Sequence, residues 1–384
     1  MQKRPSFWEK LGLFQEKGGR LNMQIGIIGM PYVGKTTLFN ALTKAKAETG
    51  TYAGRMDFNL GEVKVPEERL ELLAAIFKPK KIVPASIEYI DIGGIAKGVV
   101  EKGGMDADLL ATLRNIDALA HVVRVFEDDN VPHVEGNIDP QRDIKNLNVE
   151  LALADLQIIE KRLERLVREL RTTKIPVLVH EQELLEKFRH FLESNVPLRE
   201  IDISDGEELM IRGYQFLSQK PLLLILNIGE EQIGDSDTLI EQLSEFTQKP
   251  KTKALAVCAQ LEMEIAALDA EDAAVFIEDL GLKESAMTRV IHTSYELLSL
   301  ITFFTGGDNE VRAWTAKQGT TAISAAGMIH SDMERGFIRA ETIQADDLIR
   351  CGSLAKAREA GLLRLEGKEY LVKDKDFLTI RFSV

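Results

Sequence analysis

The sequence predicts an α/β fold with a largely parallel sheet, interrupted by a helical hairpin and followed by a smaller domain of mixed strands and helices. Three observations predict it. Six short apolar runs alternate with helical segments between about residues 24 and 260, the rhythm of strands covered by helices. From Asp143 to about Lys220 that rhythm stops, and Leu156, Ile159, Leu163, Leu166 and Leu170 recur at spacings of three and four with Glu, Lys and Arg between them. After about Leu300 the pattern becomes short strands separated by compact helices. These changes set the expected boundaries: an extension over 1–22, the first part of the α/β domain over 23–142, a helical insertion over 143–220, the second part over 221–300, and a C-terminal domain over 301–384.

Residues 1–22 mix charges with scattered apolar side chains and lack the apolar core of a secretory signal. They read as an extension before Met23, with a short amphipathic contact helix through Phe7, Trp8, Leu11 and Phe14 as the alternative. Residues 24–28 form an apolar run ending at a glycine, and "KTTLFNALTK" then has helical spacing, with Leu38, Ala41 and Leu42 on one face. "LGEVKV" and "ASIEYIDI" alternate as strands do, and "ALAHVVRVF", "KPLLLILN" and "KTKALAVCA" are the further strands of the set. In the insertion, "ELLEKFRHFLE" repeats the apolar seam on a second helix, with Pro176 between the two. The pair reads as a hairpin packed on itself, and a partner-binding arm is the sharper reading. In the C-terminal domain, "LITFFT", "EVRAWTA", "GFIRAETI", "RLEGKEYLV" and "FLTIRFSV" read as strands. "AISAAGMIHSDME" and "ADDLIRCGSLAKAREAG" read as the helices between them.

Composition narrows the function classes. Hydrophobic residues make up 45% and charged residues 28% of 384 positions, the balance of a globular protein. A formal net charge of -13 argues against a general nucleic-acid coat, leaving only local basic stretches such as "KPKTK" and "KRLERLVRELR" as candidate RNA-facing surfaces. No apolar run is long enough to span a membrane, and two distant cysteines, Cys258 and Cys351, fit a reducing cytoplasmic setting.

The chemistry concentrates in "IGIIGMPYVGKTTLFNALTK". Gly29, Met30, Pro31, Tyr32, Val33, Gly34, Lys35 and Thr36 match G-x-x-x-x-G-K-[ST], followed by Thr37. Glycines let backbone N–H groups converge on phosphate oxygens, and the next helix aims its N-terminus at the same anion. Lys35 is expected to reach the β- and γ-phosphates, and Thr36 to offer its hydroxyl to Mg²⁺. "IEYIDIGG" places Asp91 at a strand end as the second metal contact, with Gly94 completing D-x-x-G, whose N–H senses the γ-phosphate. After a later strand, GTPases read guanine with N-K-x-D. Here the run is Asn227-Ile228-Gly229-Glu230, which lacks the Lys and lengthens the acid, so an intact guanine reader is not expected.

With these residues in view, the sequence resembles the YchF-type Obg-like ATPases of the translation-factor-related P-loop group. The resemblance covers nearly all of 23–384. It rests on "GKTTLFNALTKA", "HVVRVFEDDNVPHVEGNIDPQRDI", "ELALADL", "NIGE" and the C-terminal "AAGMIHSDMERGFIRAETI…EGKEYLV". It implies a P-loop NTPase G domain with an inserted helical coiled-coil hairpin and a C-terminal TGS-like β-grasp domain. It also implies ATP preferred over GTP through Asn227 and Glu230, and association with the ribosome or its RNA. Two positions depart from the family pattern. Tyr32 stands where the family has an Asn that helps hold a monovalent cation in related enzymes, and Arg55 falls where switch I usually has a Thr for the Mg²⁺ shell. The glycine-rich tract after switch II has become "EKGGMDADLL".

The leading expectation is a slow ATP-hydrolysing switch, with a non-hydrolysing ribosome-linked scaffold and a GTPase as alternatives. Many GTPases place a Gln after D-x-x-G to orient the attacking water, but here Ile95 follows Gly94. His133, in a polar loop after a strand and at a place where the family also carries a His, is the expected catalytic partner of Lys35. His121, inside an apolar strand, is the rival and reads as structural.

Overall fold

The computed structural model describes residues 23–44, 59–93, 95, 107–172 and 175–383. These divide into two compact units, one of residues 23–63 and 87–298 and one containing 64–86 and 299–383. No described helix is long and apolar enough to cross a membrane.

The first unit is built on a six-stranded sheet in the order β2-β4-β1-β5-β6-β7. Its strands are β1 (Gln24–Ile28), β2 (Asn59–Lys64), β4 (Ser86–Asp91), β5 (Ala118–Arg124), β6 (Leu222–Asn227) and β7 (Thr252–Val257). All six coincide with the apolar runs read from sequence. β1 pairs in parallel with both β4 and β5, and β5–β6 and β6–β7 are parallel too. Every residue of β5 and β6 is buried, which is why both read as unbroken apolar runs: a parallel strand covered on both faces has no polar side to alternate with. The chain leaves β1 toward β4 on one side and returns to β5 on the other. The loops at the carboxyl ends of β1, β4 and β5 therefore meet at a topological switch point, where open α/β sheets bind their ligands.

The 33-residue helix Pro140–Thr172 belongs to two cores. Its first half lays Ile144, Leu147, Leu151 and Ala154 into the sheet's core, and Ile159, Leu163 and Leu166 then pack with Leu184, Leu185 and Phe188 of the helix Pro176–Glu193. Of the predicted seam, Leu156, Ile159, Leu163 and Leu166 thus pack in this core. Pro176 takes the first helical position, where its missing N–H costs nothing. Where the two cores meet, Asp155 is fully buried and accepts hydrogen bonds from the Leu217 N–H (2.9 Å), the Ser218 N–H (2.8 Å) and the Ser218 hydroxyl (2.6 Å).

The second unit carries a sheet in the order β11-β10-β12-β8-β9-β3, with β3 (Lys81–Val83), β8 (Leu300–Gly306), β9 (Glu310–Lys317), β10 (Phe337–Gln344), β11 (Arg364–Glu366) and β12 (Asp376–Phe382). β8–β9 and β10–β11 are antiparallel pairs. β12 lies between them, antiparallel to β10 and parallel to β8. "RLEGKEYLV" supplies only the three-residue β11. The second predicted helix divides at Gly352, whose left-handed φ of 72° ends one helix before Ser353 caps the next.

The structure corrects one grouping. Residues 64–86 were expected inside the first α/β segment, 23–142, but they fold with the C-terminal residues. β3 pairs in parallel with β9, Lys81 opposite Glu310 and Val83 opposite Arg312. The helix Glu68–Phe77 stacks Phe77 on Phe377, ring centroids 5.2 Å apart, and Arg69 grips the Asp346 carboxylate at 2.7 and 3.1 Å. Glu67 pairs with Lys375, and the Val65 N–H donates to Ala85 O at 2.9 Å, closing the neck of the excursion. A local apolar pattern specifies a strand or helix but not which sheet it joins, so this exchange could not be read from sequence.

Asp155 gives a stability prediction. Burial pushes its pKa up to about 6, against the pull of the Ser218 and Leu217 donors. Because the folded value lies above the ordinary value of ~3.9, folding takes up a proton between the two; the advantage is present below about pH 4 and is lost as pH rises through about 6. Wild-type stability is expected to fall by roughly 2–3 kcal/mol over that window on this account. Asp155→Asn should flatten that slope, read as denaturation midpoints at pH 4, 5, 6 and 7; an unchanged slope would show that Asp155 does not titrate there.

Candidate nucleotide site

The loop Gly29–Gly34 joins β1 to the helix Lys35–Thr43. Two glycines are required by space and by backbone geometry. A Cβ on Gly29 would lie 2.4 Å from the Val122 carbonyl oxygen, and one on Gly34 would lie 2.2 Å from Asn227 Nδ2, with φ of +149° and +95° at the two positions. Tyr32 also adopts a left-handed φ, 63°, and is 46% exposed. Met30 and Val33 point inward, while Pro31 and Thr37 are half-buried. Gly34 cannot cap the helix with a side chain, and the first turn has no acidic residue. The terminal N–H groups and the positive end of the helix dipole are thus available to an anion.

Lys35 is buried, and its Nζ donates to the loop's own carbonyls, Gly29 O at 3.2 Å and Met30 O at 2.8 Å. Burial lowers its pKa to about 8, partly opposed by the negative charge of Asp91. The Thr36 hydroxyl donates to Asp91 Oδ2 at 2.8 Å. Asp91 ends β4 beside β1, and burial raises its pKa, with Thr36, Lys35 and Asn59 holding the shift down. Lys35, Thr36 and Asp91 are therefore brought together as their spacing implied. Among the described residues no three or more His, Cys, Asp and Glu side chains gather as a metal cage, so a cation here would draw most of its ligands from a phosphate. Gly94 and Arg55 lie outside the described residues.

Asn227 was read as a base contact, and the structure gives its amide main-chain partners. Nδ2 donates to Val33 O at 2.9 Å, and Oδ1 accepts the Ala259 N–H at 3.1 Å. Asn227 thereby braces the phosphate loop against the start of the helix Ala259–Ala267. Ile228 is buried in the core, whereas Glu230 is exposed at the start of a 3₁₀ turn. Ile95 is also buried, and its N–H donates to Gly29 O at 3.0 Å, tying the chain after Asp91 to the loop.

His121 sits in mid-sheet opposite Ile28 of β1 and Leu224 of β6. Burial, then the positive charges of Arg199 and Lys35, lower its pKa to about 3, so it is neutral and structural. His133 lies in the loop after β5, a strand whose carboxyl end is on the same side of the sheet as that of β1. Arg124 organises that loop from beneath, donating to the carbonyl oxygens of Phe126, Asp128, Val131 and Pro132 at 3.0–3.3 Å. Sequence reading passed over Arg124, the tie from Ile95 to the loop and the bracing role of Asn227, because each depends on a partner distant in the chain or on main-chain acceptors that carry no sequence signal.

A buried lysine with a lowered pKa makes phosphate binding pH-dependent. Phosphate stabilises the ammonium form, so binding takes up a proton once the free Lys35 begins to deprotonate. Nucleotide affinity is expected to fall as pH rises above about 8. Titration calorimetry at pH 7, 8 and 9 checks this, and pH-independent affinity would contradict it. Gly34→Ala should abolish binding while leaving the sheet folded.

Comparison with known proteins extends this geometry along the chain. Residues 24–162 match the family model described as 50S ribosome-binding GTPase, and residues 300–383 match the model YchF-GTPase_C, described as a protein of unknown function. The chain is 44% identical over 362 residues to the ribosome-binding ATPase YchF of Bacillus subtilis, spanning 94% of this chain and 99% of that one. It is 41% identical over 365 residues to the protein of the same name from Escherichia coli O157:H7, spanning 95% and 100%. The solved structure of the Schizosaccharomyces pombe YchF GTPase superposes with a TM-score of 0.80 at 31% identity, covering 94% of this chain and 99% of that one. Sequence and fold agree from the phosphate loop to the last strand, and the chain belongs to the YchF family.

Proposed function

We propose that this protein is a nucleotide-operated switch that binds ATP with Mg²⁺, hydrolyses it to ADP and phosphate, and works on the ribosome. The observation that carries this is the convergence of Lys35, Thr36 and Asp91 at the N-terminus of a helix that lacks a side-chain cap. The Thr36 hydroxyl and the Asp91 carboxylate, which share a hydrogen bond, would be the residues that hold Mg²⁺. When bound, it supplies positive charge to the β- and γ-phosphates. Lys35 would exchange its two carbonyl partners for phosphate oxygens, and the loop N–H groups would orient the same oxygens.

Preference for ATP over GTP rests on Ile228 and Glu230. Ile228 occupies the Lys position of N-K-x-D and is buried, so it cannot cover a base. Glu230 replaces the Asp that would accept guanine's donors. The helix pair Pro140–Thr172 and Pro176–Glu193 supports the reading of an inserted coiled-coil arm. The strand order of the C-terminal sheet, two antiparallel pairs with the last strand between them, supports a TGS-like β-grasp domain. Ribosome association follows from the ribosome-binding relatives.

Water activation falls to His133, because the aliphatic Ile95 is held in the core and cannot orient water. Single-turnover phosphate release tests the enzyme reading. Lys35→Ala should abolish it, and tight binding without release in the wild type would point to a scaffold. Competition between ATP and GTP tests the base assignment, which a clear GTP preference would overturn. His133→Ala should keep nucleotide affinity and slow the single-turnover step by roughly ten- to a thousandfold.

A further inference from the structure

The environment of His133 assigns more than a location. Its Nδ1 accepts the N–H of Glu135 at 3.1 Å. Its Nε2 lies 3.2 Å from Asp143 Oδ2 without hydrogen-bond geometry, and neither atom has a hydrogen-bond partner among the described residues. Both side chains are almost fully enclosed, 7% and 2% exposed. The other carboxylate oxygen of Asp143 is taken. Arg142 approaches Oδ1 with Nε at 3.0 Å and Nη2 at 2.9 Å, and is itself held by the side chain and main-chain oxygen of Asn137. Asp143 lies in the first turn of the helix Pro140–Thr172, where the dipole favours a negative charge.

A neutral imidazole has one N–H and one lone pair. The Glu135 N–H can only donate, so it requires the lone pair on Nδ1. The carboxylate can only accept, so it requires the hydrogen on Nε2. We propose that Asp143, oriented by Arg142, is the positioning residue that keeps the proton of His133 on Nε2 and leaves Nδ1 as the basic nitrogen. The proposal rests on His133 acting in hydrolysis. Asp143 touches no nucleotide and acts only through the ring. For turnover, Nδ1 gives up the Glu135 N–H and takes a proton from water as the water oxygen bonds to the γ-phosphorus, while the bond from that phosphorus to the bridging oxygen breaks and its electron pair leaves with ADP. The cation so formed lies against the Asp143 carboxylate.

Asp143→Asn tests this because it keeps the shape and reverses the pattern. Arg142 only donates, so the Asn carbonyl must face Arg142 and its NH₂ must face His133. Nε2 then has to accept, the ring hydrogen moves to Nδ1, and it meets the Glu135 N–H donor to donor. Imidazole ¹⁵N NMR on the full chain reads the tautomer directly. Of the six histidines, the signal absent in His133→Ala identifies the ring. The expected result is Nε2–H in the wild type and Nδ1–H in Asp143→Asn. Alongside it, single-turnover ATP hydrolysis should slow about tenfold or more with unchanged nucleotide affinity, and the substitution should add nothing on a His133→Ala background. Nδ1–H in the wild type would overturn the proposal even if the variant failed to fold. An equal slowing on the His133→Ala background would overturn it too. Failure of the underlying reading is distinct: a wild type that hydrolyses ATP at the same rate as His133→Ala removes His133 from the chemistry, while the NMR result still decides what Asp143 does.

Discussion

The phosphate loop has to expose a ring of main-chain N–H groups toward an anion without collapsing onto itself, and the nucleotide-binding unit depends on that constraint. Six residues cannot hold such a shape alone. Gly29 packs against the Val122 carbonyl of β5, Ile95 donates to Gly29 from the far side of Asp91, and Asn227 holds Val33 from the end of β6. Lys35 donates from its ammonium to the Gly29 and Met30 carbonyls of the loop. The loop is thus suspended from β1, β5, β6 and the segment after β4, so the register of the parallel sheet is a condition for the site. A slip of β5 or β6 by one residue would invert that strand's faces and carry Val122 or Asn227 away.

The same economy appears in the helix Pro140–Thr172. It closes the sheet's core with one half and builds the helix pair with the other, so the helix pair is continuous with the nucleotide-binding unit. Its first turn also supplies Asp143 to the loop that carries His133. Burying Asp155 at the junction costs desolvation, visible in its raised pKa, but the carboxylate satisfies three donors that would otherwise be orphaned where the chain enters β6.

The second unit is assembled from two distant parts of the chain. Residues 64–86 contribute an edge strand, a helix and the Phe77 ring that stacks on Phe377, and the Arg69–Asp346 and Glu67–Lys375 pairs fix their placement. The chain enters this excursion from β2 and leaves it into β4, the strand that ends at Asp91.

The sequence by itself determined what local chemistry can specify. Fully buried strands betray themselves as unbroken apolar runs, heptad spacing marks the helix pair, and G-x-x-x-x-G-K-T followed by a strand-end Asp made the grouping of Lys35, Thr36 and Asp91 legible before any fold. Only the tertiary structure decided which sheet residues 64–86 join, that Asn227 spends its amide on the loop, and that His133 is bracketed by a main-chain N–H and a carboxylate ten residues on. The reason is physical. Side-chain periodicity records which face of an element is buried, whereas partner choice between sheets and hydrogen bonds to main-chain atoms leave no trace in residue identity. The proton on a histidine is settled by what surrounds both of its nitrogens, and that is fixed only when the chain has folded.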